Sequence, residues 1–430
     1  MKNRYDKYKD SGIAWIGEIP EHWEVRRMKS IYNFGKGLNI TKADLVDKGI
    51  SVISYGQIHS KLNTGTCIKD SLIKYVPEIF LENNNASLVK KGDIIFADTS
   101  EDLEGCGNCI YIDRDMLLYA GYHTIIAKNI STFINKYFSY LFQTDCWRSQ
   151  IRKTVNGVKL FSIPQRLLAS TDIITPSTQE QQSIATYLDQ KCSEIDELIT
   201  LQEEMITKLQ SYKQSVITEA VTKGLDKNVP LKDSGIEWIG EIPEHWEVKR
   251  LKNVCSQINI KENSKENSLP YIGLENIESG SGRYINTTSE VEGMANRFCK
   301  NNVLFGKLRP YLSKVYLAEK DGICSTEFIV YDTKSNNCRF IHKLLLSQAF
   351  IEVVNSSTYG AKMPRANSDF INNIYVQIPP LSEQQSIADY LDQKCSEIDE
   401  LISIKQQKIE KLKDYKKSLI FECVTGKRKV

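Results

Sequence analysis

The side chains in this sequence that are best suited to chemistry are basic and aromatic ones, of the kind that bind a polyanion. The segment RFCKNNVLFGKLRPYLSKVYLA, residues 297–318, holds five basic residues and no acidic one, with Phe and Tyr interspersed. Lysine and arginine neutralise phosphates, and an arginine can also donate two hydrogen bonds to the edge of a guanine. The candidate DNA contacts are therefore Lys307, Arg309, Tyr311 and Lys314. The alternative is a solvated loop without a partner.

Two shorter stretches, which lie at equivalent positions 203 residues apart, carry further candidates of the same kind. The later one, TYGAKMPRAN, supplies Lys362, Arg365 and Asn367. The earlier one, TVNGVKLFSIPQR, supplies Asn156, Lys159, Gln165 and Arg166. Hydrogen-bonding side chains that differ at matching places suggest that both stretches do the same job on different sequences.

An acidic stretch, FADTSEDLEG at residues 96–105, stands in the first half of the chain where the second half is basic. Asp98, Glu101 or Asp102 could accept a hydrogen bond from the amino group of cytosine. A structural or solvent-facing role is the alternative. The two halves are therefore expected to differ in their contacts.

A search for catalytic motifs finds none in the sequence. There is no GxxxxGK[ST] phosphate-binding loop and no Asn-Pro-Pro-aromatic string of the kind that holds a flipped base in amino-methyltransferases. The glycines of NFGKGL, residues 33–38, are interpreted as a turn. His22 and His245 are interpreted as packed beside the tryptophans that follow them. We expect a non-catalytic chain that binds no cofactor and no metal.

Composition limits the kind of partner. The 430 residues suffice for two to four domains, and 56 Lys and Arg against 54 Asp and Glu leave a net charge of +2. A polyanion must therefore meet a local basic patch. No stretch approaches eighteen consecutive apolar residues, and eleven scattered cysteines suit reduced thiols better than a disulfide framework. A cytoplasmic protein that does not enter the membrane is expected.

The chain is an internal repeat that positions these candidates twice. A Trp module, KDSGIAWIGEIPEHWEVRRMK at 9–29, returns at 232–252 with three differences. A longer segment at 180–222 returns without a gap at 383–425. The order is Trp module, variable insert, long segment, repeated once. The inserts, residues 30–175 and 253–378, hold short β-rich runs between Gly, Asn and Asp turns, so each is predicted to be a mixed domain.

The repeated long segments are predicted to be helices. Each runs for more than forty residues without Pro or Gly, with apolar residues three and four apart, and Ser-x-x-Gln-type capping in PSTQEQ and PLSEQQ precedes them. An eleven-residue apolar row comprises Ile184, Ile195, Ile206 and Ile217, repeated as Ile387, Ile398, Ile409 and Ile420. A heptad row also survives, through Leu188, Ile195, Leu198, Met205, Leu209, Tyr212 and Val216. The hand of any supercoil stays open. The helices are expected to pair antiparallel; the alternative is that each covers its own domain.

Together these elements predict an α+β protein. Two globular mixed α/β domains are separated by two long, antiparallel, coiled-coil-like helices, with a pseudo-two-fold internal repeat. The predicted boundaries are 1–178 for the first domain with its Trp module, 179–222 for the first long helix, 223–381 for the second domain with its Trp module, and 382–425 for the second long helix.

This pattern resembles the specificity subunits of type I restriction–modification enzymes. The resemblance rests on GEIPEHWEV, on FGKLRPYLSK with GICSTEF, and on IPPLSEQQSIADYLDQKCSEIDELI, and it covers nearly the whole chain. It implies two target recognition domains, each of which reads one half of a bipartite sequence in double-stranded DNA. It also implies two methyltransferase subunits that use S-adenosylmethionine to methylate adenine, and motor-nuclease subunits that use ATP and Mg²⁺. The acidic stretch at 96–105 departs from the GKLRP pattern, so base-contact roles are not carried across to it.

Two other functions stay open from the sequence. One is a similar specificity subunit in a methylation-only or phage-exclusion assembly, which neighbouring genes would distinguish. The other is a protein scaffold in which the helices are the functional part and the inserts bind protein. A steep loss of binding with rising salt favours DNA over the scaffold.

Overall fold

The computed structural model describes residues 4–13, 15–81, 84–157, 159–264, 268–287, 293–360 and 362–430. The chain divides into two compact units, one made of Met1–Leu201 with Lys408–Val430 (unit 1) and one made of Gln202–Gln407 (unit 2). Each unit contains one Trp module, one insert and part of each long helix. The predicted α+β class, with two mixed domains and two long antiparallel helices, is confirmed.

Unit 1 is built on short strands, because its apolar runs are brief and are interrupted by Gly, Asn and Asp. The strands are β1 (Tyr8–Asp10), β2 (Glu18–Pro20), β3 (Glu24–Arg27), β4 (Tyr32–Lys36), β5 (Ile50–Ile53), β6 (Lys74–Val76), β7 (Leu88–Val89), β8 (Ile94–Ala97), β9 (Thr99–Ser100), β10 (Cys109–Tyr111), β11 (Leu118–Ala120), β12 (Thr124–Asn129), β13 (Phe161–Ser162) and β14 (Asp172–Thr175). The helices that begin in this unit are α1 (Tyr55–Ile58), α2 (Asn135–Leu141), α3 (Asp145–Arg152), α4 (Gln165–Ser170) and α5 (Thr178–Lys223).

Unit 2 follows the same plan. Its strands are β15 (Leu231–Asp233), β16 (Glu241–Pro243), β17 (Glu247–Arg250), β18 (Ser256–Ile258), β19 (Lys261–Asn263), β20 (Tyr271–Ile272), β21 (Met294–Phe298), β22 (Val303–Gly306), β23 (Val315–Leu317), β24 (Gly322–Cys324), β25 (Phe328–Asp332) and β26 (Tyr375–Ile378). Its helices are α6 (Leu251–Val254), α7 (Cys338–Leu346), α8 (Gln348–Ser356), α9 (Ser368–Asn373) and α10 (Leu381–Val424).

The sheets of the two units correspond. Each insert has an antiparallel four-stranded sheet, in the order β10-β8-β12-β4 in unit 1 and β18-β25-β22-β23 in unit 2. Each also has a mixed four-stranded sheet with one parallel pair, β5 with β11 and β20 with β24. The segment NFGK, interpreted above as part of a turn, forms β4 instead, because Asn33–Lys36 pairs with β12.

The long helices α5 and α10 pack against each other antiparallel within each unit. In unit 1 the start of α5 shares a core with the end of α10, and in unit 2 the end of α5 shares a core with the start of α10. The eleven-residue row is the buried one, since Ile184, Ile217, Ile387 and Ile398 are at most 5% exposed. The heptad row is wrong, because the side chains of Leu198, Met205 and Tyr212 are at least 38% exposed.

Only one of the two predicted helix caps forms. In α5, Ser177 Oγ donates to Glu180 Oε2 at 2.8 Å, and the backbone N–H of Glu180 donates back to Ser177 Oγ. In α10 the equivalent position is a proline, and Ser382 lies inside the first turn. The capping prediction was therefore right for PSTQEQ and wrong for PLSEQQ. No helix among the described residues is long and apolar enough to cross a membrane.

An ion pair repeats at matching places along the helix contact. Lys416 Nζ lies 2.6 Å from Asp196 in unit 1, and Lys213 Nζ lies 2.7 Å from Asp399 in unit 2. Lys213 is the more buried lysine, with 10% of its side chain exposed. Because the position of each pair along the helices fixes which residues face each other, each pair helps to set the register of the two helices.

We expect a measurable coupling between Lys213 and Asp399. A double-mutant cycle with Lys213→Met and Asp399→Asn, followed by urea unfolding, should give a coupling free energy of about 1 kcal/mol, since one partner is half exposed and solvent screens the pair. The control is the exposed pair of Lys191 and Glu194 within one helix, for which a smaller coupling is expected because solvent screens both partners. Equal couplings in both cycles would contradict a role in register.

Candidate nucleic-acid interface

In unit 2 the structure brings the two basic stretches together at the end of β22. The backbone N–H of Arg309 donates to the Pro364 carbonyl at 2.7 Å, and that of Ala366 donates to the Lys307 carbonyl at 3.0 Å. Arg309 takes the left-handed conformation at φ 52°, which turns the chain sharply after the strand. Residues 307–309 and 364–366 therefore form one surface, although more than fifty residues separate them in the sequence.

The candidate side chains of this surface differ in their exposure to solvent. Lys362 is exposed, Tyr311 is 52% exposed, and Lys307 and Arg309 are half-buried. Arg365 donates from Nη2 to Glu327 Oε1 at 2.7 Å. An exposed lysine and an arginine held at the edge of a sheet suit contacts to phosphates and to base edges.

Two of the candidates in unit 2 are engaged with the protein itself. Lys314 Nζ donates to the Leu274 carbonyl at 2.6 Å, and burial lowers the pKa of its amine. Asn367 caps α9, because its Oδ1 accepts from the backbone N–H of Asp369 at 2.7 Å. Lys314 is therefore held by the protein, whereas Asn367 is exposed and only its Oδ1 is engaged.

Unit 1 places its candidates in the same part of the fold. Asn156 and Lys159 are exposed on the loop between α3 and β13, and Arg166 is exposed on α4. Gln165 is half-buried and donates from Nε2 to the Gly35 carbonyl at 3.0 Å. The loop closes on the sheet as it does in unit 2, since the Ile163 N–H donates to the Asp98 carbonyl at 2.7 Å.

Of the acidic candidates in unit 1, the structure places Asp98 at the position that matches Lys307 of unit 2. Its Oδ1 accepts from Thr99 Oγ1 at 2.7 Å and lies 3.2 Å from His123 Nδ1. Asp102 instead accepts from the backbone N–H of Gly105 and closes its own turn, and Glu101 is exposed. His123 and Glu327 were missed from the sequence. Each stands one residue before a strand, a signal that becomes meaningful only once the pairing of that strand is known.

The Trp modules pack against the long helices through their tryptophans. In unit 1, Glu180 Oε1 accepts from Trp23 Nε1 at 3.2 Å and lies 2.9 Å from His22 Nε2. Burial of Glu180 raises the pKa of its carboxyl, but hydrogen bonds from His22, Ser177 and Trp23 outweigh it, so the pKa is lowered overall.

In unit 2 the equivalent Glu383 lies 2.6 Å from His245 Nε2 and accepts from Trp246 Nε1 at 3.0 Å. Each histidine shares a glutamate of a long helix with the tryptophan that follows it, but the histidine side chains are 55% and 43% exposed, so the prediction that they are packed was wrong. Nearly identical sequences make the same contacts in both units. We therefore call the two Trp modules and the two long helices the frame, the part of the chain with a structural role.

Comparison of the sequence with known protein families assigns the chain to one of them. The family model described as type I restriction modification DNA specificity domain matches the chain twice, over residues 20–210 and 243–414. The chain belongs to that family. This specificity subunit is similar to the MjaX and MjaVIII type I restriction enzyme specificity subunits of Methanocaldococcus jannaschii. They are 26% and 24% identical over 430 residues, which cover 96% of this chain and 96% and 94% of theirs.

Solved structures show the same fold for the specificity subunit. A chain from a study of complex assembly and conformational transition in a type I restriction–modification system has a TM-score of 0.68 at 14% identity, covering 94% of this chain and 98% of that one. The HsdS subunit of Thermoanaerobacter tengcongensis has a TM-score of 0.54 at 15% identity, covering 95% and 98%. At these identities the likeness supports the fold alone.

Proposed function

We propose that this specificity subunit reads a bipartite DNA sequence, one half with each unit, and directs adenine methylation and DNA cleavage by partner subunits. One observation carries the proposal. Inside two frames of nearly identical sequence, the same backbone contacts present different side chains: Asp98 and Lys307 occupy one matching position, and Ile163 and Ala366 donate to them in the same way. A backbone that is the same in both units, with different side chains at the matching positions, is suited to binding two different half-sites.

The repeated exposed apolar residues of the long helices support the proposed protein partners. Each unit exposes apolar residues of its helix pair in matching places, namely Leu198, Leu201 and Tyr415 in unit 1 and Leu401, Ile404 and Tyr212 in unit 2. Duplicated apolar surfaces suit two copies of one methyltransferase subunit. Motor-nuclease subunits complete the proposed assembly in the cytoplasm. We assign no chemical step to this chain, so S-adenosylmethionine, ATP and Mg²⁺ belong to the partner subunits.

The test is to map methylated adenines in DNA exposed to the reconstituted methyltransferase assembly, with and without this chain. We expect methylation at one bipartite sequence when the chain is present and none from the chain alone. Methyl transfer by the isolated chain, or the same methylated sequence without it, would contradict the proposal.

Lys307 and Arg309 provide a narrower prediction. Replacing both with Ala should weaken DNA binding of the assembled complex by about 1–3 kcal/mol if Arg309 contacts a base, and removal of each phosphate interaction should reduce the salt slope by about 1. Titrations of labelled DNA at several salt concentrations measure both quantities. Lys320→Ala is the control, since it removes an exposed charge from a turn outside the surface. Wild-type affinity and slope in the double variant would mean that this loop is only solvated.

A further inference from the structure

The two units hold a charge-inverted pair of side chains on the same backbone frame. In unit 1, Asp98 follows β8 and its N–H donates to the carbonyl of His123, which precedes β12, at 3.1 Å. In unit 2, Lys307 follows β22 and its N–H donates to the carbonyl of Glu327, which precedes β25, at 2.9 Å. By these backbone contacts Asp98 and His123 of unit 1 occupy the same positions as Lys307 and Glu327 of unit 2.

In unit 1 the carboxylate is set among aromatic rings. His123 is held at φ 55°, and its side chain is 57% exposed, while that of Asp98 is 36% exposed. The rings of Tyr55 and Tyr122 lie 5.4 and 6.0 Å from the His123 ring. Thr99 Oγ1 donates to Oδ1 of the carboxylate, and His123 Nδ1 lies within hydrogen-bond distance of the same oxygen. A fixed, accessible acceptor beside flat rings is suited to the exocyclic amino group of a base.

In unit 2, Glu327, which matches His123 in position, contacts the guanidinium of Arg365 from a different segment. Glu327 Oε1 accepts from Arg365 Nη2, and the side chain of Glu327 is only 23% exposed. Its Oε2 is buried and accepts no hydrogen bond from any residue that the structure describes. One carboxylate oxygen thus holds one edge of Arg365, and the half-exposed guanidinium keeps further N–H donors for the acceptor edge of guanine.

We propose that Asp98 and Arg365 are specificity-determining residues for the two half-sites, with His123 and Glu327 as the residues that position them. Asp98 accepts from the amino group of a cytosine or adenine, and Arg365 donates to a guanine. This inference rests on the proposed function and deepens it by naming which side chains read. Stabilisation of the sheet edge is a weaker explanation for these pairs, because exposed ion pairs contribute little to stability.

The experiment uses the reconstituted methyltransferase assembly and measures methylation of a DNA panel with one base pair changed at a time. Asp98→Ala should lower discrimination at one base pair of one half-site by about 10- to 100-fold and leave the other half-site unchanged. Asp98→Asn, which keeps an acceptor for Thr99, should shift that position towards adenine, since asparagine pairs with adenine through two hydrogen bonds. Glu104→Ala, an exposed acid in the same stretch, is the matched control and should change nothing.

The positioning residues are tested in the same panel. His123→Ala should relax the same base pair as Asp98→Ala, and His123→Asn should restore it, because asparagine tolerates a positive φ and places a nitrogen near that of Nδ1. Arg365→Ala and Glu327→Gln should relax one base pair of the other half-site. Full discrimination at every position in Asp98→Ala and Asp98→Asn would overturn the inference for unit 1. A wild-type assembly with no sequence preference would instead overturn the proposed function.

Discussion

Replacing residues 251–374 with the corresponding segment of another specificity subunit is expected to change one half of the methylated sequence and to leave the other half intact. The structure sets the cut points. β17 ends at Arg250 and pairs with β26, which begins at Tyr375, so cuts after Arg250 and before Tyr375 keep this strand pair, residues 232–250 of the second Trp module and both long helices. The effect is expected to be complete, because every candidate DNA-binding residue of unit 2 lies inside the exchanged segment. Mapping of methylated adenines in cells that carry the chimera measures it.

The reciprocal exchange is the control for that experiment. β3 ends at Arg27 and pairs with β14, which begins at Asp172, so residues 28–171 form the equivalent segment of unit 1. This second chimera should change only the half that the first chimera left unchanged. Changes in both halves after either exchange would mean that the units do not read independently.

The frame was predictable from sequence because it is local or repeated. The two long helices could be predicted because each has about forty residues without Gly or Pro, with apolar residues at helical spacing. The two copies could be aligned from their sequences alone because they are nearly identical. Choosing between the eleven-residue and heptad rows required packing, since Leu198 and Ile195 fit the heptad equally well in sequence but only Ile195 is buried. The same holds for Ser382, which has the right type for a cap but lies within the helix and not before it.

The candidate DNA-binding residues were only partly predictable, because strands and bridges between distant parts of the sequence bring them together. Lys307 and Arg365 were both named from composition, but their proximity depends on the bridge between Leu308 and Arg365. Asp98 and His123 are 25 residues apart, and they meet because β8 and β12 pair with Ala97 opposite Thr124. No short-range pattern encodes that register. Sequence reasoning therefore named Asp98 and Arg365 but missed His123 and Glu327, the partners that this pairing brings to them.

The frame itself depends on how each tryptophan joins the two long helices. Trp23 lies between Glu180, in the first turn of α5, and Gly426, just beyond the end of α10. At Gly426 φ is +71°, and a Cβ there would collide with Pro20. In unit 2, Trp246 lies in the same way between Glu383 and Gly224, whose φ is +75°. Each Trp module therefore connects the beginning of one long helix with the end of the other.

Removal of either tryptophan is accordingly expected to cause the largest loss of stability. Trp23 and Trp246 are at most 1% exposed, so Trp→Ala should cost about 3–5 kcal/mol of unfolding free energy through the loss of buried apolar surface and the cavity that remains. Hydrogen exchange locates the effect: Trp23→Ala should lower protection in β3 and β14, and Trp246→Ala in β17 and β26.

The matched variants are Trp23→Phe and Trp246→Phe, which keep most of the buried apolar surface and remove the hydrogen bond to the glutamate. They should cost less than the alanine variants, because a phenyl ring fills much of the space that the indole leaves. If the Phe and Ala variants were equally unstable, the hydrogen bond to the glutamate, and not burial, would hold the module. If neither were unstable, the module would not be part of the frame. A frame role also requires that the alanine variants lose methylation at the whole bipartite sequence without acquiring a new one, since a damaged frame misplaces the reading residues and does not alter which bases they recognise.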